Sequence, residues 1–304
     1  MLSLLDTIGG TPLIELRREP GAGRVWAKVE FANPGGSVKD RIALAMIEGA
    51  RADGALVPGA PVVEATSGNT GIGLALVCSV LGHPYTLVMP ESMSCERLAA
   101  AEALGARVVL TDAKAGMAGS VAAVDSIRAT TGAYCPRQFD NPENPAVHER
   151  TTGPEIVRAL GGARIDAFVA AVGTGGTVTG VGRYLKGLRA DTRIVGVEPA
   201  GSPVLSGGSP GPHMIQGIGA GFVPSVFDRN VVDDIQTAGD AEAWNEARRV
   251  AREDGAFCGI SSGAAVVVAR RLACELGPEA TVVTVLPDTG ERYVSLAEYF
   301  KYAT

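Results

Sequence analysis

Short β-rich runs alternate with helical stretches along almost the whole chain, and this alternation limits the fold more than any other feature. The strand candidates are 25–31, 61–65, 85–89, 107–110, 167–172, 193–198 and 281–286. The helical patterns between them are 39–53, 71–81, 95–104, 117–130, 155–160, 178–188, 241–253 and 262–276. Strand, helix and strand in sequence build crossover units, so the pattern predicts an α/β fold with mainly parallel sheets. Runs such as Ala167-Phe-Val-Ala-Ala-Val172 are apolar without alternation, which suits a sheet covered on both faces. The Pro-rich stretch from Gln138 to Pro145 reads as a crossover between two lobes, and 201–212 reads as a surface loop.

Composition narrows the function classes. The net charge is −6 in 304 residues, which argues against a nucleic-acid surface. No apolar run reaches the ~18 residues of a membrane span, and the N-terminus lacks a signal-peptide pattern. A cytoplasmic protein is expected. The five cysteines show no metal spacing, and no metal site is expected. Cys78 and Cys274 fall in apolar helical patterns and are expected to be buried, whereas Cys95, beside Glu96 and Arg97, is a candidate reactive thiol. Glycine accounts for 40 residues, which points to tight turns and close backbone approaches.

Four segments can carry chemistry. In Asn33-Pro-Gly-Gly-Ser-Val-Lys-Asp-Arg41, a turn signal precedes a Ser37-x-x-Asp40 capping-box pattern. Lys39 then falls in the first helical turn, where the helix field favours the neutral amine. Schiff-base chemistry and proton abstraction need that form. A solvated lysine is the ordinary alternative. Glu64-Ala-Thr-Ser-Gly-Asn-Thr-Gly71 is a strand-to-helix turn rich in hydroxyls, suited to a carboxylate or a phosphate, or simply a well-capped turn.

Gly173-Thr-Gly-Gly-Thr177 has the same placement and suits a phosphate, although it matches neither the dinucleotide fingerprint nor the P-loop. Gly259-Ile-Ser-Ser-Gly-Ala-Ala265 opens another apolar helix, with Ser261 or Ser262 as its expected cap and the other hydroxyl left for a ligand. The remaining candidates are weak. His83, His148 and His213 are scattered, Glu242, Glu246 and Glu253 read as a solvated face, and Trp26 and Trp244 read as packing residues.

In order and spacing, these four segments resemble the cysteine synthase (O-acetylserine sulfhydrylase) family of fold type II pyridoxal phosphate enzymes. Further matching segments are Ile8–Leu13, Met93–Arg97, Gln138–Pro142, Ile215–Pro224 and Leu286–Arg292, so the resemblance runs from about Leu4 to Ser295. Two positions depart from the family pattern: Leu98 stands where a second arginine is common, and Cys95 is unusual in its place.

The resemblance implies two lobes flanking the cofactor, each a mainly parallel twisted sheet with flanking helices. Their bounds would be 35–144 with 1–12, and 145–304 with 13–34. It makes Lys39 the lysine that bonds the cofactor and Asn69 the partner of its 3′ oxygen. Thr66, Ser67, Gly68, Thr70 and Gln138 would hold the substrate carboxylate. Gly173, Thr174, Gly175, Gly176 and Thr177 would hold the cofactor phosphate, Ser261 would face the pyridine nitrogen, and Gly217 would line the leaving group.

The implied activity is replacement of the acetoxy group of O-acetyl-L-serine by sulfide. Lys39 would take the Cα proton and return it. The implied partners are a second copy of the chain and the C-terminus of serine acetyltransferase. Three alternatives stay open: an O-phosphoserine sulfhydrylase, a compact cystathionine β-synthase, and a synthase of another β-substituted alanine. A phosphate leaving group would want a nearby arginine, and Gln216–Phe222 has none. A nicotinamide dehydrogenase is disfavoured by the missing fingerprint.

Overall fold

The computed structural model describes the backbone of residues 2–91 and 95–302, and the side chains of these residues except 95, 96, 301 and 302. In chain order the main elements are β1 (Leu13–Glu15), β2 (Arg24–Val29), α1 (Lys39–Ala52), β3 (Val62–Ala65), α2 (Asn69–Leu81), β4 (Tyr85–Pro90), α3 (Cys95–Ala103), β5 (Arg107–Thr111), α4 (Gly116–Thr131) and α5 (Glu143–Val147). A π-helical turn (His148–Thr152) follows. Then come α6 (Gly153–Ala159), β6 (Ala167–Ala171), α7 (Gly176–Leu188), β7 (Arg193–Pro199), β8 (Asp234–Ala238), α8 (Asp240–Glu253), α9 (Ile260–Leu276) and β9 (Thr281–Leu286).

The chain forms two compact units, Met1–Ile8 with Asn33–Glu143, and Gly9–Ala32 with Asn144–Thr304. The first holds a three-stranded sheet, β3-β4-β5, with every pair parallel. Its core includes Ile47, Leu74, Val77, Leu87 and Met89, all nearly or fully inaccessible. Helix α2 is apolar on nearly all sides, which is the pattern of a helix buried on more than one face.

The second unit holds a six-stranded sheet in the order β1-β2-β9-β6-β7-β8. Only β1 is antiparallel; the other pairs are parallel. One face packs Val169, Val195 and Val282 with Ala264 and Val268 of α9. The opposite face packs Phe168, Ile194 and Val283 with Val178 and Val181 of α7. A sheet buried on both faces has no polar side to alternate with, which is why β6 reads as a continuous apolar run.

Strands β1 and β8 escape the sequence reading because both are edge strands. The first is three residues long, and Asp-Ile-Gln-Thr-Ala in β8 carries polar residues that an edge tolerates. Part of the stretch read as a Pro-rich crossover folds as α5, and the π-helical turn continues from it. Three further expectations are corrected. Cys274 is exposed, because it lies on the outer side of α9. Glu246 is not part of a solvated face: it pairs with Arg270 at 2.7 Å, with side-chain exposures of 13% and 8%. Neither Ser261 nor Ser262 caps α9, since the cap is Gly259 and both serines lie inside the first turn. The segment Met93–Arg97 and the Cys95 thiol lie largely outside the described residues, with Arg97 the exception.

Candidate active site

Each unit contributes its own cluster. In the first, Lys39 is the opening residue of α1 and is half-buried. The expected capping box does not form. Ser37 Oγ accepts from the Lys39 N–H at 3.2 Å, two residues on rather than three. The Asp40 carboxylate reaches back instead to the Gly35 N–H at 2.5 Å and braces the turn before the helix. A Cβ on Gly35 would collide with that carboxylate, so glycine is required there. The Lys39 carbonyl lies 3.0 Å from where a Cβ on Gly73 of α2 would stand. The backbone under Lys39 is thus packed directly on a second helix.

The turn after β3 leads into α2, with Thr66 and Thr70 buried and Ser67, Gly68 and Asn69 half-buried. Gln138 joins it from 68 residues along the chain, accepting at Oε1 from Thr70 Oγ1 at 2.5 Å. Its Nε2 donates to Thr66 Oγ1 at 3.4 Å, and the Gly68 N–H donates to the same oxygen at 3.2 Å. With two bonds accepted, the Thr66 hydroxyl proton is left to donate outward. This neutral, hydroxyl-rich turn at a helix N-terminus suits a carboxylate. Glu64, which the sequence reading left without a role, holds the Gln138 backbone in place: its carboxylate accepts from the N–H groups of Arg137 at 2.9 Å and Gln138 at 3.4 Å.

In the second unit, the turn Gly173–Gly175 carries the chain from β6 into α7. Gly175 caps the helix at φ +87°, a left-handed conformation that favours glycine. Thr174 is buried and accepts at Oγ1 from Asn144 Nδ2 at 3.0 Å. Thr177 Oγ1 lies 3.2 Å from Nε2 of buried His148, whose Nδ1 is 2.9 Å from Thr152 Oγ1. Asn144 and His148 are therefore supports that sequence reasoning missed. In the sequence His148 is only one of three scattered histidines, and Asn144 falls in the Pro-rich stretch that reads as a crossover. Gly217 also comes to this loop, with its carbonyl where a Cβ on Gly173 would overlap it, and the Gly219 N–H donates to the Val172 carbonyl at 3.1 Å.

Ser261 is buried in the first turn of α9. The Gly259 N–H donates to the Asp288 carbonyl at 3.0 Å, which ties this helix start to the loop leaving β9. Strands β9 and β6 are parallel neighbours, so the loops beyond their C-terminal ends emerge on the same side of the sheet. That is where open α/β sheets bind ligands. The N–H groups opening α7 lie at the positive end of the helix field, which suits a phosphate, and the turn needs glycine at 173, 175 and 176 because a Cβ there would meet the Gly217 carbonyl, Phe227 or the Asn144 amide. Taken singly, each set fits a requirement of pyridoxal phosphate chemistry: the first unit holds an amine at Lys39, and the second an anion-binding turn at 173–177.

The family profile described as "Pyridoxal-phosphate dependent enzyme" matches residues 4–288. The chain is 50% identical over 299 residues to a cysteine synthase of Staphylococcus aureus, covering 98% of this chain and 96% of that protein. Among solved structures, an O-ureido-L-serine synthase superposes with a TM-score of 0.95 at 43% identity, covering 100% of this chain and 96% of the other. A cysteine synthase from Entamoeba histolytica superposes with a TM-score of 0.93 at 42% identity, covering 98% and 90%. The chain belongs to the pyridoxal-phosphate dependent enzyme family, with the fold type II architecture of these relatives.

Proposed function

We propose that the protein is a cysteine synthase that replaces the acetoxy group of O-acetyl-L-serine with sulfide to give L-cysteine. The observation that carries the reading is the Thr66–Thr70 turn closed by Gln138, a carboxylate-shaped set of neutral donors in the same unit as Lys39. The match to the S. aureus cysteine synthase supports it.

Bound pyridoxal phosphate supplies an electron sink that makes the substrate Cα–H acidic. Lys39 Nζ would hold the cofactor, and the same amine would take the substrate Cα proton and return it. Asn69 donates to the cofactor 3′ oxygen. Thr66, Ser67, Gly68, Thr70 and Gln138 orient the substrate through its carboxylate. Gly173, Thr174, Gly175, Gly176 and Thr177 hold the phosphate, and Gly217 lines the space of the leaving group. Ser261 offers the pyridine nitrogen a neutral hydroxyl. A carboxylate there would strengthen the electron sink beyond what a β-elimination needs.

The likeness to an O-ureido-L-serine synthase favours one second reading, the same β-replacement with another nucleophile. The working state is a homodimer in the cytoplasm, with the carboxylate pocket also able to receive the C-terminus of serine acetyltransferase. Among the described residues, no helix is long and apolar enough to cross a membrane.

The test is to titrate the cofactor-loaded protein with O-acetylserine, O-phosphoserine or L-serine while recording the visible absorption. The acetyl ester alone should shift the band, and added sulfide should restore it with formation of cysteine. A response confined to O-phosphoserine or serine overturns the donor. A band restored by another nucleophile and not by sulfide selects the second reading.

A further inference from the structure

We propose that Glu64 is the positioning residue of the substrate-carboxylate pocket, holding the backbone of Arg137 and Gln138 so that the Gln138 amide bridges Thr66 and Thr70. The inference rests on the cysteine synthase reading for its substrate, and on geometry within the first unit for everything else.

Glu64 lies in β3 directly before the Thr66–Thr70 turn and is 4% exposed. Its strand neighbours Val62 and Val63 are fully buried, and a third apolar residue would satisfy the sheet at lower cost. What a carboxylate adds is acceptor capacity. Oε2 accepts from the Arg137 N–H at 2.9 Å and from the Cys135 thiol at 3.4 Å, and Oε1 accepts from the Gln138 N–H at 3.4 Å. Three donors from one short segment converge on one side chain.

The segment it grips is not a relaxed one. Arg137 has φ +55°, a left-handed conformation for a residue with a Cβ. Such a conformation persists where surrounding contacts over-determine it, and it places consecutive N–H groups toward one acceptor. The consequence appears one residue later. With its backbone fixed, the Gln138 side chain accepts from Thr70 and donates to Thr66. That donation fills an acceptor site on the Thr66 hydroxyl and turns its proton toward the pocket. Glu64 never touches the substrate; it acts through Gln138.

A glutamine at this position has one acceptor oxygen and places an NH2 against a backbone N–H. Glu64→Gln should therefore raise KM for O-acetylserine about tenfold while kcat changes by less than about threefold, the signature of lost binding common to ground and transition states. Gln138→Ala should raise KM comparably, and the double variant should be no worse than Gln138→Ala alone, because the two residues act in series.

Arg137→Pro provides a second route that leaves the core untouched. It removes one gripped N–H on an exposed residue and forbids the positive φ, and it should raise KM about three- to tenfold. The calorimetric dissociation constant for L-alanine, which carries the carboxylate and amine without a leaving group, should move by the same factor as KM. An unchanged KM in folded Glu64→Gln and Arg137→Pro, or fully additive effects of Glu64→Gln and Gln138→Ala, overturns the proposal. Failure of the wild type to turn over O-acetylserine would overturn the functional reading instead, and the L-alanine constants would still decide the role of Glu64.

Discussion

Asn144 Nδ2 donates to the Thr174 hydroxyl at 3.0 Å, and the oxygen of the same amide lies where a Cβ on Gly176 would fall. One buried side chain thus fixes a hydroxyl of the phosphate loop and leaves room only for glycine at the loop's end. Pro145 and His148 press in the same way on Gly180 one turn further along α7. The start of this helix is set by the segment 144–149 as much as by its own sequence.

Gly176→Ala should overpack this contact and move Asn144, Thr174 or both. Overpacking of this kind costs about 1–3 kcal/mol, which corresponds to a loss in affinity of roughly five- to 150-fold if it falls on the loaded loop. Reconstitution of the apoprotein with pyridoxal phosphate, followed by absorbance, measures the loss. Gly187→Ala on the same helix, where a Cβ meets open space, should bind the cofactor as the wild type does.

Lys39→Ala should lower the rate of cysteine formation by at least about a thousandfold, because it removes both the covalent tether and the base. The far-ultraviolet circular dichroism should be unchanged, since alanine suits the first turn of α1. Borohydride treatment followed by mass spectrometry should find the cofactor attached to wild-type Lys39 and to no residue of the variant. Attachment elsewhere would refute the role of Lys39.

Thiol reactivity should follow burial. Burial pushes Cys78 and Cys258 up to about 12, and burial together with the neighbouring Glu64 charge does the same to Cys135. At pH 8 these thiols are almost wholly protonated and unreactive. Exposed Cys274 should be alkylated by iodoacetamide within minutes in the native protein, whereas Cys78, Cys135 and Cys258 should react only in denaturant. Peptide mapping by mass spectrometry separates the sites.

Glu64 also makes a pH prediction. Burial raises its pKa above the usual carboxylate range, against the backbone hydrogen bond from Arg137 that lowers it. With the raised value in the folded state, the folded chain holds the proton longer than the unfolded one. Its contribution to stability is then full below the ordinary carboxylate value and is lost as pH rises through the folded value. The melting temperature of the wild type should therefore fall relative to that of Glu64→Gln as pH rises from about 4 through the raised value. A difference independent of pH would contradict this.

The α/β class, seven of the nine strands among the described residues and the helices that follow the glycine turns are legible in the chain's own pattern. The reason is local. Apolar periodicity and turn chemistry act over a few residues, and the buried parallel strands express them strongly. The pattern also marked Lys39, Thr66–Thr70 and Gly173–Thr177, because helix starts rich in glycine and hydroxyls are recognisable without any partner.

The contacts that complete each cluster join residues far apart in the chain. Gln138 meets Thr66 and Thr70 across roughly seventy residues, and Glu64 grips Arg137 across a similar distance. Asn144 meets Thr174 at a separation of 30. Such contacts depend on which strand ends lie side by side in a sheet. Sheet order is settled by packing both faces of the sheet at once, and no short window of sequence carries that information.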